Sequence, residues 1–152
     1  MYHKKRITVV IPALNEAPSI RQVIDGLWSL KDHQQLNIID EILVCDNGSS
    51  DDTAMLAKQS GARVVFEPQP GYGRACLKAL AAIKHTDIIL FMDADHAFYA
   101  QQALPLIRAI TEGTDLAIGS RTLGKMEAGA LTTPQQMGNW LAVDEITISA
   151  RC

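Results

Sequence analysis

Short β-branched runs that alternate with helical stripes constrain this chain more than any other feature. Ile7 to Ile11, Ile42 to Cys45, Val64 to Phe66, Ile88 to Met92 and Leu116 to Ile118 are each apolar over the length of a strand. Continuous apolar runs of this kind suit strands covered on both faces. Between them Ile20, Val23, Ile24, Leu27 and Trp28 recur at helical spacing, as do Cys76, Ala79, Leu80 and Ile83, and again Leu104, Ile107 and Ile110. Gly61 and Gly113 stand where helix C-terminal glycines are favoured, and Asp51 or Asp52 where an N-cap is wanted. Strand, helix, strand repetition forces parallel pairing through right-handed crossovers. The expected architecture is therefore a doubly wound α/β sheet, mostly parallel, with helices on both faces.

Such a sheet needs a core, and 152 residues with 47% apolar side chains supply one for a single domain but not for two. A net charge of −3 and a pI near 5.7 give no basic footprint, so nucleic acid is not expected as a partner. Cys45, Cys76 and Cys152 show no C-x-x-C spacing and are odd in number, which points away from a disulfide framework or a zinc site and toward the reducing cytosol. No window approaches the roughly 18 to 20 apolar residues that cross a bilayer. A cytoplasmic protein is expected. Lys4, Lys5 and Arg6 leave peripheral contact with anionic lipid at the membrane face open, beside the plainer reading as a solvated strand flank.

Ligands of doubly wound sheets bind beyond the carboxyl ends of the strands. Those ends carry Pro12 to Glu16, Asp46 to Asp52, Pro68 to Arg74 and Asp93-Ala94-Asp95, all polar or glycine-rich. Asp93 and Asp95, one residue apart after a buried strand, can turn both carboxylates toward one hard divalent cation while leaving positions for substrate phosphates. A pair of this spacing also occurs in ordinary loops as a helix cap. Asp46 is placed to accept hydrogen bonds from a base or ribose, although Asn47-Gly48-Ser49 is equally good turn chemistry and Asp51 and Asp52 read as caps. Gly71 and Gly73 open a helix where backbone can approach phosphate, with Arg74 adding a charge, or they simply make a tight turn. Ser120-Arg121 offers a further phosphate-directed cation or a plain surface arginine. His96 adjoins the acidic pair, and the other histidines share no ligand spacing. Cys45 and Cys76 fall on core-facing positions.

Taken in order, Val9 to Glu16, Asp46-Asn47-Gly48-Ser49, Asp93-Ala94-Asp95 and Gly119-Ser120-Arg121 resemble the inverting family 2 of GT-A glycosyltransferases. Within it the chain is most similar to dolichyl-phosphate mannosyltransferases and bacterial polyprenyl-phosphate sugar transferases, over about residues 6 to 142. The resemblance implies a GT-A, Rossmann-like sheet and transfer of a sugar, with inversion, from a nucleotide-diphosphate sugar to a lipid phosphate or saccharide acceptor. It implies that Pro12, Ala13, Asn15 and Glu16 line the nucleotide pocket, with Glu16 and Asp46 on base or ribose. Gly73, Arg74 and Ala94 complete the substrate-binding set. Asp93 and Asp95 would hold Mg2+ or Mn2+, and Asp95 and Arg121 would be the catalytic residues, Arg121 facing the acceptor phosphate. Relatives often carry a polar side chain where this sequence has Ala97, so His96 or water would take that place.

Rival nucleotide folds fare worse. Pro12 to Glu16 contains no glycine, so the dinucleotide-binding fingerprint is missing after the first strand, and no G-K-[ST] ending marks a P-loop. The glycine-rich basic loop of nucleotidyltransferases is missing as well. An already ionised phosphate acceptor needs no general base, and no base stands out. The resembled family continues well beyond Gly138 to Ala142. Residues 1–142 therefore read as a nucleotide-sugar-binding domain and 143–152 as an atypical tail, with the sheet expected to be incomplete at its C-terminal end. On that reading donor binding without efficient turnover is expected. Bare apolar surface around Trp140 and Leu141 would favour self-association. The alternative is a truncated, catalytically inactive nucleotide-sugar-binding protein.

Overall fold

The first apolar run becomes the centre of the sheet. In the computed structural model, which describes residues 1–119, β1 (Ile7–Ala13) is buried at every position. Parallel partners flank it on both sides: β2 (Glu41–Asp46), which continues to β3 (Arg63–Phe66), and β4 (Ile88–Phe91). The strand order is β3-β2-β1-β4. Helices α1 (Ile20–Trp28), α2 (Thr53–Gln59) and α3 (Tyr72–Ala82) make the connections, and α4 (Ala103–Thr111) follows β4 after a 3-10 turn at Ala100–Gln102. Residues 1–117 pack as one unit.

Sidedness follows from handedness. The steps β1 to β2 and β2 to β3 move one way across the sheet and put α1 and α2 on one face. The step β3 to β4 moves back past two strands and puts α3 on the other. The larger core gathers Val9, Ile11, Ile20, Ile24, Leu27, Ile42, Val44 and Ile107 beneath α1, α2 and α4, while Val10, Leu43 and Cys45 pack against Ala75 and Ala79 of α3. Small residues on α3 let the helix lie close to the sheet. Ala79 and Ile83 pack on the sheet as expected, but Ala75 takes the buried place expected of Cys76, which is half-buried like Leu80. Ile24 is fully buried. Its truncation to alanine is expected to cost about 2–5 kcal/mol, read from the urea midpoint by far-ultraviolet circular dichroism.

Both predicted helix-stop glycines are found in the left-handed region, Gly61 at φ 85° and Gly113 at φ 108°. In each case the paired bonds of a Schellman turn follow: Gly61 N to Lys58 O (3.0 Å) and Ala62 N to Ala57 O (3.1 Å), then Gly113 N to Ile110 O (3.2 Å) and Thr114 N to Ala109 O (3.0 Å). Asp52 occupies the N-cap position of α2 but makes no side-chain cap bond. Asp51 does that work, its Oδ1 accepting from Thr53 N at 3.0 Å and from the Thr53 hydroxyl.

Two expectations need correction. Leu116 to Ile118 is not a strand. Asp115, Leu116 and Ala117 run past Ile88, Ile89 and Leu90 without strand pairing, and Leu116 is 71% exposed. Three apolar residues between Asp115 and Gly119 give little length on which to register a ladder. Burial on both faces holds for β1 and β2 but not for β3 and β4, which end the sheet among the described residues. Ile89 and Phe91 lie in register with Thr8 and Val10 and remain 41% and 45% exposed, because α3 crosses β1, β2 and β3 and stops short of covering β4. Gly119 is the last described residue of the Gly119-Ser120-Arg121 motif; Ser120, Arg121 and the 143–152 tail lie outside the described residues.

Candidate functional site

In the order β3-β2-β1-β4 the chain leaves β3 through α3 and crosses back over β2 and β1 to β4, so the start of α3 and the loops after β1 and β4 meet beyond the carboxyl ends of the strands. A cleft of about 340 Å³ occupies this place. Pro12, Ala13, Leu14 and Glu16 line it from β1, Asn47 from β2, Gly71, Tyr72 and Ala75 from the start of α3, and Asp93, Ala94 and Asp95 from β4.

The acidic pair stands on a fixed backbone. Met92 N donates to Val10 O at 3.0 Å, and Ala94 is 3% exposed, so the chain on either side of Asp93 is pinned to the sheet. Asp95 Oδ1 accepts from Ala97 N at 2.9 Å, and Asp93 Oδ1 accepts from the Tyr72 hydroxyl at 3.3 Å. Partial burial first and the Asp93 charge second push the Tyr72 hydroxyl up to about 12. It therefore stays protonated, and a donor, at neutral pH. Among the described residues no three His, Cys, Asp or Glu side chains gather closely enough to enclose a metal ion. A pair of carboxylates beside an open cleft instead suits a hard cation that completes its shell with water and phosphate oxygens.

The β1 and β2 loops are sewn together. Asn15, at φ 56°, donates its backbone N–H to Ser49 Oγ at 3.0 Å, and its Oδ1 accepts from Ser50 N at 2.8 Å and Ser50 Oγ at 3.1 Å. Glu16 N donates to Thr53 Oγ1 at 2.8 Å, Ala17 N to Asp51 Oδ2 at 3.1 Å, and Asn47 N to Ala13 O at 2.9 Å. The Thr53 hydroxyl, foremost, holds the Asp51 carboxyl below its usual range.

Pro12, Ala13, Glu16, Asp93, Ala94 and Asp95 thus meet on one cleft, while Asn15, Asp46, Gly73 and Arg74 do not line it. Asn15 turns to the Ser49–Ser50 loop. Asp46 is 6% exposed, with its Oδ1 accepting from Ser49 N at 3.1 Å, which is the local turn that its sequence neighbours also suit. Gly73 and Arg74 are exposed on the first turn of α3, and the Arg74 side chain lies beside Gly71, which lines the cleft. Glu16 Oε2 accepts from the Ser19 hydroxyl at 2.9 Å. His96, at φ 60°, stacks edge-on against Tyr99 and lines a separate hollow beside α1. Cys45 is buried as expected, and its thiol is pushed up to about 11, mainly by burial.

Two polar cleft residues escaped the sequence reading. Asn47, 6% exposed, uses its amide in both senses: Nδ2 donates to Glu67 O (3.0 Å) and Gln69 O (2.8 Å), and Oδ1 accepts from Gly71 N (2.8 Å). That clasp holds Gly71 at φ 141°, a conformation that favours glycine, where α3 begins. Tyr72 is the other. Its only signal in the sequence is a bulky polar ring between two glycines at a helix start.

The sequence pattern of the family described as glycosyl transferase family 2 matches residues 8–150. Glucosyl-3-phosphoglycerate synthase of Mycobacterium tuberculosis is 43% identical over 99 residues, covering 60% of this chain and 29% of that protein. The glycosyltransferase AglJ of Haloferax volcanii is 33% identical over 133 residues, covering 88% of this chain and 41% of that one. Among solved structures, the M. tuberculosis glucosyl-3-phosphoglycerate synthase in complex with Mn2+, UDP-glucose and phosphoglyceric acid superposes with a TM-score of 0.61 at 35% identity, over 73% of this chain and 41% of that one. The chain thus spans less than half the length of these relatives.

Proposed function

Because this chain belongs to glycosyl transferase family 2 and has the GT-A fold, we propose that its cleft holds a nucleoside diphosphate sugar and a divalent cation for transfer of the sugar, with inversion, to a phosphate-bearing acceptor. The observation that carries this reading is the meeting of Asp93 and Asp95 with Pro12 to Glu16, Asn47 and Tyr72 around one cleft at the β1/β4 switch point. Asp93 and Asp95 would hold Mg2+ or Mn2+, the ions bound with UDP in the solved relatives. When bound, such a cation neutralises the charge that grows on the leaving diphosphate. The chain's own part is positional. Pro12, Ala13 and Glu16 form the floor on which base and ribose rest, and Asn47 sets the loop that carries Gly71 and Tyr72. The first turn of α3 places its backbone N–H groups where anionic oxygens are favoured.

For the acceptor, the solved relative is complexed with phosphoglyceric acid, and the sequence motifs resemble those of enzymes that use a polyprenyl phosphate. Arg121 is assigned to the acceptor phosphate, and Asp95 with Arg121 remain the residues proposed to act in transfer. Asp46 is proposed to act on base or ribose indirectly, through the turn it closes. Among the described residues no helix is long and apolar enough to cross a membrane, and the proposed place of action is the cytoplasm, with Lys4, Lys5 and Arg6 available to a lipid face.

The test is a panel of nucleoside diphosphate sugars scored by thermal shift with Mn2+, with Mg2+ and with EDTA. UDP-glucose at a hundred times its Kd with Mn2+ is expected to raise the unfolding temperature by about 5–10 °C, and the shift should vanish with EDTA. No shift with any donor under either metal would refute the reading. Release of nucleoside diphosphate with phosphoglycerate or with a polyprenyl phosphate then separates the acceptors, and binding without release would mark a nucleotide-sugar-binding protein.

A further inference from the structure

We propose that Tyr72 is a positioning residue for the divalent cation, holding the Asp93 carboxylate in the orientation that presents it to the metal. This rests on the metal assignment to Asp93 and Asp95 above. Asp93 has its backbone fixed on both sides, by the Met92 N to Val10 O bond at 3.0 Å and by buried Ala94, so rotation of its side chain is the freedom that remains. The Tyr72 hydroxyl donates to Asp93 Oδ1 at 3.3 Å. A hydrogen bond to one oxygen of a carboxylate removes much of that rotation, and outer groups of this kind tune metal affinity through the ligand they hold.

Tyr72 is itself well placed to do this. Gly71 precedes it, with its N–H accepted by Asn47 Oδ1 at 2.8 Å, and the Asn47 amide grips Glu67 O and Gln69 O as well. A continuous path therefore runs from the end of β2 through Asn47, Gly71 and Tyr72 to Asp93 at the end of β4. It passes over the end of β1, the strand that separates the other two. The path ties the donor-side loop to the metal side of the cleft. Tyr72 is 63% exposed, so its hydroxyl contributes little to the core.

The experiment compares wild-type protein with Tyr72→Phe and Asp93→Asn. Mn2+ affinity is read by electron paramagnetic resonance of the free ion, and UDP affinity by calorimetry at saturating Mn2+. Tyr72→Phe is expected to bind Mn2+ about tenfold more weakly. Its UDP affinity at saturating Mn2+ should stay within about twofold of wild type, and its unfolding midpoint should be unchanged. A merely structural role would lower UDP affinity at every metal concentration, so that pattern would overturn the proposal. Wild-type Mn2+ affinity in Tyr72→Phe, with Asp93→Asn impaired, would also overturn it while sparing the metal site. Wild-type Mn2+ affinity in Asp93→Asn would instead overturn the metal assignment, and this proposal with it.

Discussion

Replacing Asp93 or Asp95 by alanine is expected to lower Mn2+-dependent affinity for UDP by at least about a hundredfold, because each substitution removes one of the two protein oxygen donors that a cation would meet in the cleft. A tenfold loss corresponds to about 1.4 kcal/mol, and outer residues alone alter metal affinity by roughly ten- to a hundredfold, so a direct ligand should sit at the upper end or beyond. The fold should barely notice. Asp95 is exposed and Asp93 half-exposed, and the one bond to Ala97 N that Asp95→Ala gives up contributes only about 0.5–1.5 kcal/mol. Separating two like charges a residue apart offsets part of even that in the absence of metal. Calorimetry with and without Mn2+ reads the affinity, and a urea titration reads the stability. Retention of metal-dependent affinity in both variants would show that the cation is held elsewhere.

Asn47→Ala should do the reverse and damage the fold first. Its amide makes three bonds to the backbone of residues 67, 69 and 71, and at 6% exposure it leaves little room for water to replace them. At about 1 kcal/mol for each bond, with a further cost for any group stranded without a partner, a loss of about 2–4 kcal/mol is expected. Donor affinity should fall with it, since the start of α3 is no longer held. Asn47→Asp should not rescue. An ionised carboxylate can still accept from Gly71 N, but it sets lone pairs against the carbonyls of Glu67 and Gln69 where an N–H group had donated. Urea midpoints and UDP calorimetry on the two variants decide the matter, and an Asn47→Asp variant as stable as wild type would show that the amide is not needed as a donor.

The sheet was legible because its cause is local. Runs such as Ile7 to Ile11 declare burial on both faces, and the Schellman glycines Gly61 and Gly113 declare where helices stop. The acidic pair was legible for the same reason, since one-residue spacing at a strand end is a statement about a few adjacent atoms. Asn47 and Asn15 were not, because turn chemistry looks the same in sequence whether a side chain bonds its neighbours or reaches across 20 to 35 positions to another loop. Leu116 to Ile118 misled because strand propensity speaks of the residue, whereas a strand also requires a partner edge. Gly73 and Arg74 were read as a unit with Gly71; Arg74, three positions on, lies beside Gly71 on the first turn of α3, while Gly73 does not line the cleft.

Arg6 N and Asp87 Oδ2, bonded at 2.7 Å where β1 and β4 begin, are separated by 81 positions. Contacts so distant along the chain form late and slowly, because the loop must be closed before the pairing rewards it. Until β4 docks, β1 presents an open edge to any other strand, and the crevice that would receive a nucleotide does not exist. Assembly of the binding cleft and removal of the most adhesive surface of the nascent sheet are therefore the same kinetic event.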